Sequence, residues 1–232
     1  MSEAAFTRSP VLKPIGVLGG TFDPIHYGHL RLAQQAAEQL TLQEVRFIPA
    51  GEPYHRAPGL ASGTSGAHRT EMVRRAIGNN NLFRVDTRDL ERGGATYTFD
   101  TLVGLRSELG NQVPIFVLLG ADAFALLETW HRWRELFDLC HFGVAQRPGA
   151  ELWRERVGGE LAETLRVRER ADAQQLSATP AGNVVTITMT PLEISATAIR
   201  EQLSRGASPR YLLPDAVLEY IVANELYLEG SR

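Results

Sequence analysis

Short, β-rich apolar runs alternate with helical stretches along the chain: Pro14 to Gly20, Val45 to Pro49, Leu82 to Asp86, Pro114 to Gly120, Cys140 to Gln146 and Val184 to Met189. That alternation predicts a parallel sheet with crossover helices. Between the runs, His29 to Leu40 carries apolar residues at Leu30, Ala33, Ala37 and Leu40, and Phe99 to Leu109 repeats Leu102, Val103, Leu105 and Leu109 ahead of Gly110. Both patterns predict helices that bury one face, with Gly110 as a C-terminal cap. A further helix is expected at His68 to Gly78. Pro214 is expected in the first turn of a closing helix whose apolar face is Val217, Leu218, Ile221 and Val222.

Two stretches break the rhythm. Gly59 to Ala67 (GLASGTSGA) reads as a surface loop, and Glu151 to Leu176 is charged and mostly helical in pattern. The strand pattern resumes after each, so neither reads as a domain linker. The expected architecture is a short tail (1–12) followed by a single domain (13–232): an α/β, doubly wound, Rossmann-like parallel sheet with helices on both faces and a C-terminal helical segment. In such a sheet ligands bind at the carboxyl ends of the strands.

Composition narrows the classes. At 232 residues, 44% hydrophobic and 22% charged, the chain can bury a full core without disulfide or metal staples. Twenty-four Lys and Arg against 27 Asp and Glu leave a net charge of -3, which argues against a cationic surface for nucleic acid. Cys140 is the one cysteine, a usage that fits a reducing cytoplasm. No apolar run approaches the roughly 20 residues of a membrane helix, so no membrane partner is expected.

The chemistry concentrates in Gly16 to His29, GVLGGTFDPIHYGH. An apolar strand runs into Gly19 and Gly20, then a polar turn, then two histidines at the start of a helix. Glycines without side chains let backbone N–H groups approach a phosphate, and a helix N-terminus adds unpaired N–H groups and the positive end of its dipole. His26 and His29, spaced i, i+3, fall on one side of that helix start, with Gly28 between them expected to leave room for a ligand. Taken singly, two glycines can serve only a tight turn and a histidine can merely cap. His-x-x-His can also hold zinc, but Asp23 is the one carboxylate nearby and no third His or Cys adjoins, so no metal residue is assigned.

The string GGTFDPIHYGH resembles the G-x-F-x-P-x-H-x-G-H element of the nucleotidylyltransferase superfamily, and ISATAIR (Ile194 to Arg200) is similar to its second element, I-S-S/A-T-x-I-R. Within that superfamily the chain resembles the bacterial nicotinate-nucleotide adenylyltransferases from about Ile15 to Tyr227. IPAGEPYHR, GGATYTFDTL, LLGADAFALLETW, FGVAQRPG and YLLPDAVLEYIVANELY carry the likeness. The resemblance implies transfer of AMP from ATP to the 5′-phosphate of nicotinate mononucleotide, giving deamido-NAD and pyrophosphate. It also implies Mg2+ bridging the ATP phosphates. The catalytic residues it implies are His26, His29 and Arg200. ATP would meet Gly19, Gly20, Thr21, Phe22, His26, Gly28, His29, Asp122, Ile194, Ser195, Thr197 and Arg200. Nicotinate mononucleotide would meet Gly20, Thr21, His55, Arg56, Thr98, Trp130, His131 and Arg147, with Trp130 against the pyridine ring and Trp133 in the core. The chain departs from the family's usual P-P-H-K by carrying Tyr54 for the second proline and Arg56 for the lysine. Arginine reads phosphate through a planar fork rather than as a point charge.

The rivals are an adenylyltransferase for nicotinamide mononucleotide or phosphopantetheine, a nucleotide sensor that has lost turnover, and a fragment of a class I aminoacyl-tRNA synthetase. A monomer and a homodimer are both compatible with the sequence.

Overall fold

The computed structural model describes residues 13–53, 64–146, 151–171, 176, 178–190 and 192–228. In chain order the elements are β1 (Ile15–Gly20), α1 (Tyr27–Gln39), β2 (Glu44–Pro49), β3 (Glu52–Pro53), α2 (Gly66–Ile77), β4 (Phe83–Val85), α3 (Arg88–Arg92), β5 (Ala95–Thr96) and α4 (Thr98–Leu109). There follow β6 (Ile115–Gly120), α5 (Ala121–Ala125), α6 (Trp133–Leu139), β7 (His141–Gln146), α7 (Gly159–Arg168), β8 (Glu169–Arg170), β9 (Val184–Thr188), α8 (Ala196–Ser204) and α9 (Asp215–Ala223).

Among the described residues, seven strands form one parallel sheet in the order β4-β2-β1-β6-β7-β9-β8, and β3 pairs with β5 apart from it. The chain builds outward from β1 through β2 to β4, then crosses back to add β6, β7 and β9 on β1's other side. The winding therefore reverses between β1 and β6, which opens a crevice at their carboxyl ends. A strand covered on both faces must be apolar at nearly every position. Ile15 and Val17 accordingly join the core beneath α4, α5 and α6, whereas Leu18 joins the core beneath α1, α2 and α8. In β6, Ile115, Val117 and Leu119 face the first of these cores and Phe116 and Leu118 the second. Gly16 and Gly143 are small for packing: a Cβ at either would lie 2.8 Å from a leucine or isoleucine methyl.

The six expected strands form, each displaced by no more than two residues at either end. The helices begin earlier than their apolar patterns do. The first starts at Tyr27 and that after the glycine-rich stretch at Gly66, where Ser65 Oγ accepts from the His68 N–H at 3.3 Å. Gly66 and Ala67 therefore belong to α2 and not to the expected loop, whose residues up to 63 lie outside the described ones. Pro214 stands one residue ahead of α9, as its N-cap. Val222 (63% exposed) and Val103 (45%) face solvent, because each lies one position off the stripe set by Val217 and Ile221, or by Leu102 and Leu105. The Glu151 to Leu176 stretch contains α7, but also a 3-10 turn (Glu151–Arg156) and β8, which extends the sheet edge. Gly110 does end α4, at φ 82, and Trp133 is buried. No helix among the described residues is long and apolar enough to cross a membrane.

Candidate active site

The segment from Gly19 to His29 lies at the crevice between β1 and β6. Gly19 is open, since a Cβ there would meet nothing within 4 Å, while a Cβ at Gly20 would lie 3.1 Å from the Phe22 ring. Phe22 takes a left-handed backbone (φ 51) and is almost fully buried, edge-on to His29 with ring centroids 5.2 Å apart. It therefore packs against His29 and lines neither of the two cavities that flank the histidines. The turn is held by Arg69 of α2, which is 3% exposed. Its Nη1 donates to the Thr21 carbonyl at 2.7 Å, and its Nη2 to those of Ala50 (2.6 Å) and Gly51 (3.0 Å). A buried guanidinium needs acceptors on several sides, and these carbonyls fasten the turn to the end of β2.

His26 is the extended N-cap of α1 and His29 lies one turn on. Their rings stack at 3.9 Å. The His26 backbone N–H donates to His29 Nδ1 at 3.3 Å, so neutral His29 must carry its proton on Nε2. The covered nitrogen of His26 is Nδ1, which meets no hydrogen-bond partner among the described residues and lies 3.0 Å from where a Gly28 Cβ would be. A side chain at Gly28 would press on the His26 ring, and Gly28 itself lines a cavity. Burial lowers the His26 pKa to about 4. Burial, with the neighbouring His26 charge, lowers that of His29 to about 3. Both imidazoles are neutral near pH 7.

Two cavities flank this pair. One, of about 390 Å³, is lined by Gly19, Gly20, Thr21, His29, Thr98 and Trp130, with Asp89, Thr96 and Thr101 among its other walls. The second, of about 660 Å³, is lined by His26, Gly28, Asp122 and Ile194, with Gln146, Trp153, Arg156 and Met189. Leu32 and Gly120 line both. The stacked histidines therefore stand where two ligands would meet, one ring in the wall of each cavity. Asp122 is exposed and ion-paired with Arg156 at 2.9 Å. His131 is exposed beside Trp130, its ring 4.6 Å from that of Tyr97, and lines neither cavity.

The second element opens α8. Ser195 is its N-cap, accepting from the Ala198 N–H at 3.2 Å. Arg200 donates through Nη1 to the Asp23 carbonyl at 2.7 Å and through Nη2 to Thr197 Oγ1 at 3.3 Å. The two sequence elements, 177 residues apart at this contact, are hydrogen-bonded directly. Ile194 lines the larger cavity, whereas Ser195, Thr197 and Arg200, which follow it in the chain, line neither. His55, Arg56 and Arg147 fall outside the described residues.

Several participants went unread in the sequence. Arg69 shares a helix face with Met72 and Val73, and a charged residue on a buried stripe is the one signal that could have marked it. Asp89 is buried, accepting from Thr101 Oγ1 at 2.8 and 2.9 Å and from Arg92 at 2.9 Å, and burial raises its pKa. Twelve residues separate Asp89 from Thr101, so no local pattern links them. Among the described residues, no group of three or more His, Cys, Asp or Glu comes together as a metal cage.

Residues 17–202 match the cytidylyltransferase-like family. The chain is 49% identical over 215 residues to a probable nicotinate-nucleotide adenylyltransferase of Dechloromonas aromatica, a match covering 93% of this chain and 98% of that one. A protein of Pseudomonas aeruginosa so described is 45% identical, the match covering 93% and 97%. In fold it is similar to Plasmodium falciparum nicotinic acid mononucleotide adenylyltransferase complexed with NaAD, at TM-score 0.66 and 20% identity, over 93% of this chain and 97% of that one.

Proposed function

The chain belongs to the cytidylyltransferase-like family, among its nicotinate-nucleotide adenylyltransferases, and from that premise we propose how its two cavities divide the work. The reaction is transfer of AMP from ATP to the 5′-phosphate of nicotinate mononucleotide, which forms deamido-NAD and pyrophosphate. An oxygen of the mononucleotide phosphate attacks the α-phosphorus of ATP, and the bond from that phosphorus to the β-phosphate oxygen breaks. The nucleophile is already largely dianionic, with a second pKa of about 6, so no strong general base is needed. What remains is to align two anions and offset their charge.

The cavity with Trp130 and Thr98 takes the nicotinate half, whose ring suits an aromatic wall and whose phosphate would reach Gly19, Gly20 and Thr21. The cavity with His26 and Ile194 takes ATP. The observation that carries this assignment is the stacked histidine pair shared between the two cavities. His29 offers Nε2–H to the oxygens that gain charge as the β-phosphate departs. His26 donates from its uncovered nitrogen, and Arg200 and Thr197 at the start of α8 supply positive charge and a hydroxyl to the triphosphate.

Magnesium would enter this site as a passenger on ATP. When bound it would neutralise part of the triphosphate charge. A cytoplasmic setting accords with this reading, because Cys140 carries a buried free thiol.

Labelled ATP tests the reaction. Label at the α-phosphate should appear in the dinucleotide and label at the γ-phosphate in pyrophosphate, only when nicotinate mononucleotide is present. Label in a protein adduct, or γ-label in inorganic phosphate, would contradict direct transfer.

A further inference from the structure

We propose that Tyr227 is a positioning residue for adenylyl transfer: through its bond to Asp23 it fixes the carbonyl that aims Arg200. The inference rests on the role given to Arg200 above. Arg200 Nη1 is held by the Asp23 backbone oxygen at 2.7 Å, and the Asp23 carboxylate accepts at 2.7 Å from the hydroxyl of Tyr227, 204 residues further along the chain. Asp23 is 5% exposed. A buried carboxylate stays where its donors hold it, because water cannot replace a donor that is lost.

The C-terminal turn is shaped for this contact. Tyr227 and Glu225 both have positive φ, 65 and 51, a conformation that L residues keep only where their surroundings impose it. The Tyr227 hydroxyl also bonds Thr64 and lies 4.0 Å from Met72 Sδ, so it is gripped from the start of α2 as well. Burial and the Asp23 charge push the phenol pKa up, which keeps the hydroxyl a donor across the working range. A second tie runs the same way, from the Tyr27 N–H to the Leu212 carbonyl at 3.1 Å. Tyr227, Asp23 and Arg200 all stand outside the lining of the two cavities, and the route from Tyr227 to the reaction is the pair of bonds that Asp23 makes to Tyr227 and Arg200.

The test is a double-mutant cycle on pyrophosphate release with Tyr227→Phe, Arg200→Ala and both together. Tyr227→Phe should lower kcat about tenfold or more, the scale of a lost hydrogen bond to a charged group, and leave KM for nicotinate mononucleotide within about twofold. The double variant should be no slower than Arg200→Ala alone by more than about twofold. Leu226→Ala, which loosens the same turn without touching Asp23, should lower the melting temperature and leave kcat in place. Wild-type kcat in Tyr227→Phe, losses that multiply in the double variant, or a kcat loss in Leu226→Ala equal to that of Tyr227→Phe would each overturn the proposal. Full activity in Arg200→Ala would instead remove the role given to Arg200, a different failure. Should Tyr227→Phe not fold, the cycle is run with Thr64→Val, which removes the hydroxyl's other partner. A smaller loss that disappears in the Arg200→Ala background is then expected, and an additive one overturns the proposal.

Discussion

His26 and His29 show how one local arrangement can serve both rest and reaction. Without ligand, burial holds both imidazoles neutral, with pKa values of about 4 and 3. A triphosphate beside them favours the protonated form of His26, since His29 keeps its Nδ1 as an acceptor for the His26 backbone N–H, so ATP binding should draw protons from solution at pH 6 to 7. Calorimetry of ATP binding in two buffers of different ionisation enthalpy measures this, and identical heats in both would contradict it. The same shifts fix a stability slope. Because the unfolded histidines titrate near 6.5, the unfolded chain binds more protons than the folded one below that pH. This contribution is therefore present above about 6.5 and is lost as pH falls toward the folded values. Chemical denaturation of the ligand-free protein between pH 7 and 5 should show stability declining with acid. For catalysis, His29→Ala should cost about a hundredfold or more in kcat while ATP affinity changes only a few-fold, since its Nε2–H is most needed as charge develops.

Elements place these side chains, and they do so from several directions. Gly28 is governed by the His26 ring, so Gly28→Ala should displace that ring and depress kcat with circular dichroism unchanged; native kcat would show that the ring has room to move. Ser195→Ala removes the N-cap of α8 and should cost about 1 kcal/mol in urea unfolding. An unchanged midpoint would mean that the cap bond contributes nothing. The strands were legible because parallel strands covered on both faces leave continuous apolar runs, and the turn after β1 was legible because Gly19, Gly20, His26 and His29 follow one another. Arg69, Asp89 and Tyr227 were not legible, since each acts through a partner supplied by folding: the Thr21 carbonyl, Thr101 and Asp23 respectively. Helix starts were misjudged for a related reason. Apolar periodicity marks the buried face, whereas caps such as Ser65 and His26 are polar and precede it.

Across the whole molecule, the reversal of winding between β1 and β6 creates the crevice, and the return of the chain through α8 and the C-terminal turn closes its back. Arg200 and Tyr227 reach the first sequence element from more than 170 residues away, so the second element is part of the site only in the folded chain. The division into two cavities has its own consequence. Trp130→Ala should raise KM for nicotinate mononucleotide about tenfold or more with KM for ATP nearly unchanged, on the scale of removing an aromatic wall from a ring. The reverse pattern in steady-state kinetics would exchange the occupants of the two cavities.

The most direct measurement is pyrophosphate release by the purified protein with ATP and magnesium, comparing nicotinate mononucleotide, nicotinamide mononucleotide and phosphopantetheine at matched concentrations. Release should be much the fastest with the nicotinate compound and should fall about a hundredfold or more in the His29→Ala protein. Equal rates with the acid and the amide, or no release with any acceptor from a folded chain that binds ATP, would contradict the account.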